Sequence, residues 1–357
     1  MTNQLDPIVI AIDGGGSKTD GVALDLDGHI IARDRKRGSS FQPDDLQHSV
    51  RVVDDLVTQL RTQSGGRPVL QTNIYLAGLD LPVEIAAFAA ALEEKPWATG
   101  VGGRPVVVDN DLFALLRSGT EERNAVAVVC GTGINCIGIR ADGEHARFTA
   151  WGNISGDWGG GWFLGEQALW HAARAMDGRG DPTLLTKSVP AHLGLPDVQA
   201  VIEAFHFGRL STDRFATMAP LVMAAADAGD EVAGGILDRQ ADEIVALAVA
   251  ALKRLDLLEQ PVPVVLGGGV LASGNPRLLR GIEAGLASRA PEASAQLVRS
   301  RPILGAALLT LEAVDASPAA LAAATAALEY TPAPTPTPTG QNPFHGVSVD
   351  RVPTGRK

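Results

Sequence analysis

The apolar positions near the start of the chain predict a strand hairpin followed by alternating strands and helices. An apolar run from Ile8 and a second from Val22 predict two strands joined by a glycine turn, and a third strand is predicted over 29–35. Helical spacing follows, and further buried strands over 73–77 and 105–108 each lead into a helix. This order of elements is typical of an α/β domain.

The second half of the chain begins with the same pattern. Strands over 125–129 and 135–139 enclose a turn that contains Gly131, Thr132 and Gly133, which suggests a duplicated architecture. The fold class is therefore predicted to be α/β, in two domains. Residues 1–119 are predicted to form an N-terminal domain, and residues 120–328 a C-terminal domain whose last helix could return to the first domain. Residues 329–357 are predicted to form a disordered Pro/Thr-rich tail.

The glycine turn after the first strand carries residue types that bind phosphate. Asp13 ends the strand, three glycines follow, and Ser17, Lys18 and Thr19 lead into the next strand. Because glycines have no β-carbon, backbone N–H groups in such a turn can approach an anion closely, and the side chains add donors and a positive charge. An acid at the strand end would hold a hydrated Mg2+ against the phosphates. The turn is neither a nucleotide P-loop nor a dinucleotide fingerprint, since Ser17 precedes Lys18 and a strand follows instead of a helix.

Composition limits the expected classes of partner and the expected cellular compartment. The chain has 357 residues, 45% of them hydrophobic, and a formal net charge of -11. No patch rich in lysine or arginine offsets that charge, which argues against nucleic acid or an anionic membrane as the main partner. No apolar run approaches the ~20 residues of a membrane span, so we expect a cytoplasmic protein. Cys130 and Cys136 lie in apolar segments and are expected to be buried thiols, not metal ligands or a redox pair.

Six segments in one order resemble those of a known superfamily. They are AIDGGGSKTDGVALDLDG, YLAGLDLP, DNDLFALL, VCGTGINCIGI, WGNISGDWGGGWFLG and VVLGGGVLASGNPRLLRGI. Together they resemble the actin/Hsp70/sugar-kinase superfamily, and more closely the BadF/BadG/BcrA/BcrD-type ATPases and the N-acetylglucosamine kinases that share their domain. The resemblance implies two ribonuclease-H-like (actin-like ATPase) domains, with ATP and Mg2+ in the interdomain cleft and a sugar at its floor. It suggests a monomer or a homodimer.

The resemblance also implies roles for individual residues. Asp13 would handle Mg2+, Asn110 would hold a sugar hydroxyl, and Asp111 would be the catalytic base. The implied contacts to the phosphates and the adenosine of ATP are Gly15, Ser17, Lys18, Thr19, Gly131, Thr132, Gly133, Gly268 and Gly269. Phosphoryl transfer needs one carboxylate within reach of the attacking hydroxyl, and Asp111, at the end of a predicted strand and the start of a helix, suits that task. The alternative is that Asp111 is only a helix N-cap.

The loop over 152–165 departs from the pattern of its relatives. Asp157 is kept, but Trp158 and Gly160 replace a glutamate and a serine. A free 2-amino group on a sugar is largely cationic, so a pocket that selects it needs carboxylates to pair with it. The block from this loop to Asp181 is also similar to the actinobacterial glucosamine kinases, which favours phosphorylation of D-glucosamine at its 6-hydroxyl. The candidate substrate contacts are Ser40, Asn110, Asp111, Asn135, Asp157, Trp158, Glu166 and Asp181.

Other functions stay open at this point. Within the fold, the alternatives are an N-acetylglucosamine kinase or a BadF-type ATPase of unknown partner. An activator that shares an iron–sulfur cluster between subunits would need surface cysteines, which the apolar setting of both cysteines disfavours. A dehydrogenase is suggested only by the glycines over 267–272, which lack the rest of a dinucleotide-binding unit. A sugar sensor without catalysis is disfavoured by the presence of Lys18 and Asp111.

Overall fold

Two five-stranded sheets of identical topology form the centre of the molecule. The computed structural model describes residues 5–41, 45–298 and 300–329, so the tail predicted over 329–357 lies, apart from Glu329, outside the described residues. The first sheet has the order β3-β2-β1-β4-β5 and the second the order β8-β7-β6-β9-β10. The first sheet consists of β1 (Ile8–Gly14), β2 (Lys18–Asp25), β3 (Ile30–Arg37), β4 (Val69–Leu76) and β5 (Val107–Asn110). The second consists of β6 (Ala125–Cys130), β7 (Ile134–Ile139), β8 (His145–Arg147), β9 (Pro263–Gly267) and β10 (Ser294–Leu297).

The strand directions repeat as well. In each sheet the first three strands form an antiparallel meander, and the remaining two are parallel to the first strand. The glycine turns therefore join β1 to β2 and β6 to β7, as the hydrophobic pattern predicts. The duplicated architecture inferred from the sequence is present in the structure.

Helices cover the faces of both sheets. The helices that follow strands of the first half are α1 (Leu46–Gln63), α2 (Pro82–Leu92) and α3 (Asp111–Gly119). The second half contains α4 (Gly161–Met176), α5 (Leu185–Leu193), α6 (Val198–His206), α7 (Ala219–Asp227), α8 (Glu231–Arg254), α9 (Gly269–Ala272) and α10 (Pro276–Arg289). The last two helices are α11 (Pro302–Glu312) and α12 (Pro318–Leu328).

The first strand is buried along its whole length because helices cover both of its faces. Side chains of a strand alternate between faces. Ile10 and Ile12 pack in a cluster with Leu56 of α1, whereas Val9 packs in a different cluster with Leu304 of α11. This two-sided burial explains why β1 is a continuous apolar run and does not alternate with polar residues. It also shows that α11, although it follows the second sheet in the chain, packs on the first sheet.

Helix α3 lies at the junction of the two halves. Leu112 and Leu116 pack with Ala127 and Val265 of the second sheet, while the same helix also packs against α11. The junction is reinforced by an ion pair of 2.6 Å between Arg147 Nη2 and an oxygen of Asp109. The N-terminus of α3 is thereby fixed between the two sheets.

Cys130 and Cys136 are both buried and unpaired, and burial raises the pKa of the Cys130 thiol to about 12, so these thiols are structural. Among the described helices, none combines the length and apolar character that crossing a bilayer requires.

Candidate active site

A cleft of about 570 Å3 opens between the two halves, where strands of both sheets end. Residues from both halves line it, among them Gly15, Ser40, Asp80, Asp111, Thr132 and Asn135. The carboxyl ends of β1, β4 and β5 supply its first wall, and the turn between β6 and β7 supplies the second. Ligands of open α/β sheets bind at this edge.

The first glycine turn is held by its own backbone. Gly15 N–H donates to the carbonyl of Lys18 over 2.9 Å, and the Gly15 carbonyl accepts from the N–H groups of Ser39 and Ser40. A β-carbon on Gly38 would lie 2.1 Å from the Gly16 carbonyl oxygen, so the two loops approach at a distance that only glycine permits. Gly15 and Gly16 line the cleft. Ser17 lines a second cavity that adjoins it.

The two residues after Ser17 take different positions, since neighbouring side chains of a strand point to opposite faces. Thr19 is fully buried, and its hydroxyl is bonded to the Arg37 carbonyl at 2.8 Å and to Ser39 Oγ at 2.7 Å. The Thr19 hydroxyl is therefore engaged within the protein, and its predicted contact with phosphate stays a prediction. The Lys18 ammonium is 3.1 Å from Asp20 and 43% exposed, and its charge partly offsets the rise in the pKa of Asp13 that burial causes.

The second glycine turn is built against the start of α4. Gly131 N–H donates to the Gly133 carbonyl over 2.9 Å, and Gly161 N–H donates to the Gly131 carbonyl over 2.7 Å. A β-carbon on Gly160 would lie 2.5 Å from the Gly133 backbone, and Gly160 has φ 86° and ψ 170°, a conformation essentially restricted to glycine. The loop before α4 thus sets the shape of this turn.

A second cavity of about 430 Å3 adjoins the cleft and shares Gly131 and Thr132 with it. Its other end is lined by Gly269 and Met223. Gly268 supports this end because a β-carbon there would lie 2.4 Å from the Cys130 carbonyl oxygen, and its φ is 96°. The two glycine turns thus lie where the cavities meet. A nucleotide in the second cavity can therefore place its phosphates at the turns and toward the cleft.

Asp111 is the first residue of α3, and its carboxyl group faces the cleft. Burial raises its pKa to about 7, and N–H groups at the start of the helix oppose that shift. The helix cap is supplied by the neighbouring Asn110, whose side-chain oxygen accepts from Leu112 N–H over 2.9 Å. Asp111 is therefore not used as the cap, and its carboxyl group has the pKa that suits a general base near neutral pH.

Asp13 is the candidate ligand for Mg2+. Burial, together with the nearby charges of Asp111 and Asp20, raises its pKa to about 8. A cation beside this carboxylate would offset that cost, so the residues fit the ion. Magnesium is usually held by one or two carboxylates, water and the phosphates of its substrate, and no group of three or more metal-binding side chains occurs within the described residues.

Asp80 is a residue of the site that the sequence analysis did not predict. It follows β4 and lines the cleft beside Asp111. Its Oδ1 accepts hydrogen bonds from Asn110 Nδ2 at 2.9 Å and from Asn135 Nδ2 at 2.7 Å. Burial and the charges of Asp111 and Glu84 raise its pKa to about 7. The sequence does contain a signal for it, because Asp80 follows a buried parallel strand just as Asp111 does.

Asn110 contributes to the site in a different way from the prediction. It is 4% exposed, and its amide nitrogen donates to the Leu79 carbonyl at 3.2 Å as well as to Asp80. Its side chain is thus occupied by the protein, and it positions Asp80 instead of presenting an amide to a sugar. Ser40 and Asn135 do line the cleft.

Four predicted substrate residues do not line either cavity of the cleft: Asp157, Trp158, Glu166 and Asp181. For Asp181 the physical reason is the length of helix α4. It starts at the second glycine turn and continues for 16 residues, or about 24 Å at 1.5 Å per residue, so the turn that contains Asp181 lies beyond its far end. Trp158 is 7% exposed, with the guanidinium of Arg239 4.0 Å from its ring centroid. Asp157 accepts a hydrogen bond from Ser155 Oγ within its own loop.

Known proteins are similar to most of this chain. Residues 10–310 match the model of the BadF/BadG/BcrA/BcrD ATPase family. An N-acetyl-D-glucosamine kinase of Dictyostelium discoideum is 30% identical over 85% of this chain and 98% of its own. An N-acetylmuramic acid/N-acetylglucosamine kinase of Clostridium acetobutylicum is 29% identical over 75% of this chain and 86% of its own. A solved structure from Chromobacterium violaceum, a candidate N-acetylglucosamine kinase, is 26% identical and covers 85% of this chain and 99% of its own with a TM-score of 0.65.

The two sheets of identical topology and the likeness to this solved structure confirm the predicted fold class, an α/β fold of the actin-like ATPase type. The chain belongs to the BadF/BadG/BcrA/BcrD ATPase family. The family inferred from the six segments is thereby confirmed as well.

Proposed function

We propose that this chain is an amino-sugar kinase that transfers the γ-phosphoryl group of ATP to the 6-hydroxyl of D-glucosamine, giving glucosamine 6-phosphate and ADP. The observation that carries the proposal is that Asp111 lines the same cavity as Gly15 and Thr132, which belong to the two glycine turns. A proton acceptor and two phosphate-binding turns therefore face one space.

The chain's own residues divide the reaction into a few tasks. The N–H groups of the two glycine turns hold the phosphates, and Asp111 accepts the proton of the sugar hydroxyl as that oxygen attacks the γ-phosphorus. Mg2+, when bound at Asp13, supplies positive charge that neutralises the phosphates. Closure of the two halves around the cleft excludes water, which suppresses hydrolysis of ATP.

Asp80 supports the choice of a free amine over an acetamide. Its Oδ1 accepts from two asparagine amides, while Oδ2 accepts no hydrogen bond within the described part of the chain. A carboxylate in a buried polar cleft is a good partner for an ammonium group. This replaces Glu166 and Asp181, which do not line the cleft, as the carboxylate support for glucosamine.

N-acetylglucosamine is the second candidate acceptor. It is favoured by the names of the Dictyostelium and Clostridium relatives, which are kinases of N-acetylated sugars. The two candidates differ in one group at carbon 2, so the residues that surround this group decide between them.

A coupled assay of ADP release with glucosamine, N-acetylglucosamine, glucose and mannosamine tests the proposal. We expect glucosamine to have the highest kcat/KM, with a phosphomonoester at carbon 6 in the 31P spectrum of the product. A large preference for the acetylated sugar would overturn the choice of acceptor, and no phosphorylation of any amino sugar would overturn the proposed class of reaction.

A further inference from the structure

A groove outside the cleft lies between α4 and α8 in the second half of the molecule. It encloses about 960 Å3 and shares no lining residue with the two cavities of the cleft. Trp170 and Arg174 are one turn apart on α4 and line one wall, and Gly235 and Arg239 are one turn apart on α8 and line the other. The groove is large enough for a phosphorylated hexose.

Two arginines of this groove are held over aromatic rings. The guanidinium carbon of Arg239 is 4.0 Å from the ring centroid of Trp158, and that of Arg174 is 4.5 Å from the ring centroid of Trp170. Such cation–π contacts restrict the guanidinium groups. Nη2 of Arg174 also donates to the Arg179 carbonyl at 2.9 Å, which leaves the other N–H donors of Arg174 for a ligand. Trp170 is 48% exposed, so part of its ring surface is accessible from the groove.

These arginines lack strong carboxylate partners. Within the described residues, Arg174 has no carboxylate at ion-pair distance, and Arg239 has only Glu243, at 3.9 Å. Other arginines nearby differ: Arg179 is paired with Asp177 at 2.6 Å. In a chain with a net charge of -11, two such arginines on facing walls favour an anionic ligand.

The acids of the groove do not cancel this charge. Asp230 is occupied as the cap of α8, where it accepts hydrogen bonds from Ala233 N–H at 2.9 Å and from the Thr183 hydroxyl at 2.7 Å. Glu231 faces Arg277 at 3.4 Å. Asp181 is exposed and has no hydrogen-bond or ion-pair partner within the described residues, so it can accept from hydroxyl or amino groups.

The groove is connected to the second glycine turn. Trp158, which lies under Arg239, is two residues before Gly160, and Gly160 N–H donates to Gln240 Oε1 over 2.8 Å. The next residue, Gly161, donates to the carbonyl of Gly131. A ligand at Arg239 would therefore contact the segment that shapes the phosphate turn.

We propose that this groove binds a phosphorylated amino hexose, with the phosphate between Arg174 and Arg239 and the amino and hydroxyl groups toward Asp181. The assignment depends on the groove itself and not on which sugar is the acceptor in the cleft. The groove thus provides a second site for the chemical class of compound that an amino-sugar kinase produces.

Calorimetry with the cleft blocked tests this site. The full chain is saturated with a non-hydrolysable ATP analogue and an acceptor sugar, and glucosamine 6-phosphate, glucose 6-phosphate or inorganic phosphate is then titrated. We expect about one equivalent of glucosamine 6-phosphate to bind, more tightly than glucose 6-phosphate and at least tenfold more tightly than inorganic phosphate. No binding with the cleft blocked, or equal affinity for all three compounds, would overturn the proposal.

Three variants assign the binding to the groove. Arg174→Gln and Arg239→Gln should each weaken binding of glucosamine 6-phosphate at least tenfold, whereas Arg209→Gln, which removes an arginine beside Phe207 that does not line the groove, should leave it unchanged. Turnover in the absence of added product should be preserved in all three, which shows that they are folded. Binding that is unaltered in both groove variants would refute the assignment.

Discussion

Asn135 donates a 2.7 Å hydrogen bond from Nδ2 to Oδ1 of Asp80, and this bond joins the two halves of the molecule at the floor of the cleft. The same oxygen accepts from Asn110 at 2.9 Å, so one carboxylate oxygen is shared by amides from both sheets. The second oxygen is left for a ligand. Asp80 is therefore both a link between the halves and a candidate contact to the acceptor.

Replacement of Asp80 by asparagine should affect the sugar more than the nucleotide. Asp80→Asn keeps the shape of the side chain and removes its charge, and loss of a charge-assisted hydrogen bond costs about 1.5–3 kcal/mol, or roughly 10- to 100-fold in kcat/KM for glucosamine. The KM for ATP should stay near its wild-type value. Steady-state kinetics with each substrate varied in turn would measure this.

Asp109→Asn is the matched control for that substitution. Asp109 is a carboxylate in the neighbouring strand β5, paired with Arg147 at 2.6 Å, and it does not line the cleft. Its substitution should lower stability without a selective rise in the KM for glucosamine. Equal effects of the two substitutions on the sugar would mean that Asp80 acts only as a link between the halves.

Gly160→Ala should disrupt the second glycine turn. The new β-carbon would lie 2.5 Å from the backbone of Gly133, and the backbone conformation of Gly160 is itself unfavourable for alanine. We expect a loss of ATP affinity of at least tenfold, measured by titration with a fluorescent ATP analogue. Gly156→Ala is the control because Gly156 has nearly the same φ, 85°, and nothing within 4 Å of the added carbon; it should cost only about 1–2 kcal/mol of stability and leave ATP affinity intact.

Asp13 makes the stability of the protein without Mg2+ depend on pH. Its pKa is raised from 3.8 to about 8, so the folded state binds the proton more tightly than the unfolded state. The stability that this proton contributes is lost as the pH rises from about 4 to about 8. Asp13→Asn should therefore gain in melting temperature relative to the wild type as the pH increases through that window. Thermal melts at intervals between pH 5 and pH 8 would show this.

Asp34→Asn provides a control of opposite sign. The pKa of Asp34 is lowered, chiefly by the N–H of Arg35, so its contribution is complete above about pH 4 and is lost only at lower pH. Its difference from the wild type should be constant between pH 5 and pH 8. A constant difference for Asp13→Asn as well would contradict the rise in the pKa of Asp13 that burial and the neighbouring carboxylates cause.

The hydrophobic pattern was sufficient for the two hairpins and for the strand–helix alternation, because each element carries its own periodicity. It also located Asp111, since a carboxylate between a buried strand and a helix is visible in the sequence. The positions of Glu166 and Asp181 were not predictable in this way. They depend on the direction in which α4 leaves the phosphate turn, which is set by tertiary contacts such as that between Gly160 and Gly133. The close packing of Thr19 against Arg37 and Ser39 likewise depends on a neighbouring strand.

The measurement that tests the central claim most directly compares wild type and Asp111→Asn for transfer of the γ-phosphoryl group from ATP to glucosamine, with ATP binding measured on the same samples. Positioned general bases contribute about 10²- to 10⁴-fold to rate, so the variant should bind ATP nearly as well as the wild type and lose turnover by that factor. Turnover equal to that of the wild type would contradict the role of Asp111 and, with it, the proposed site.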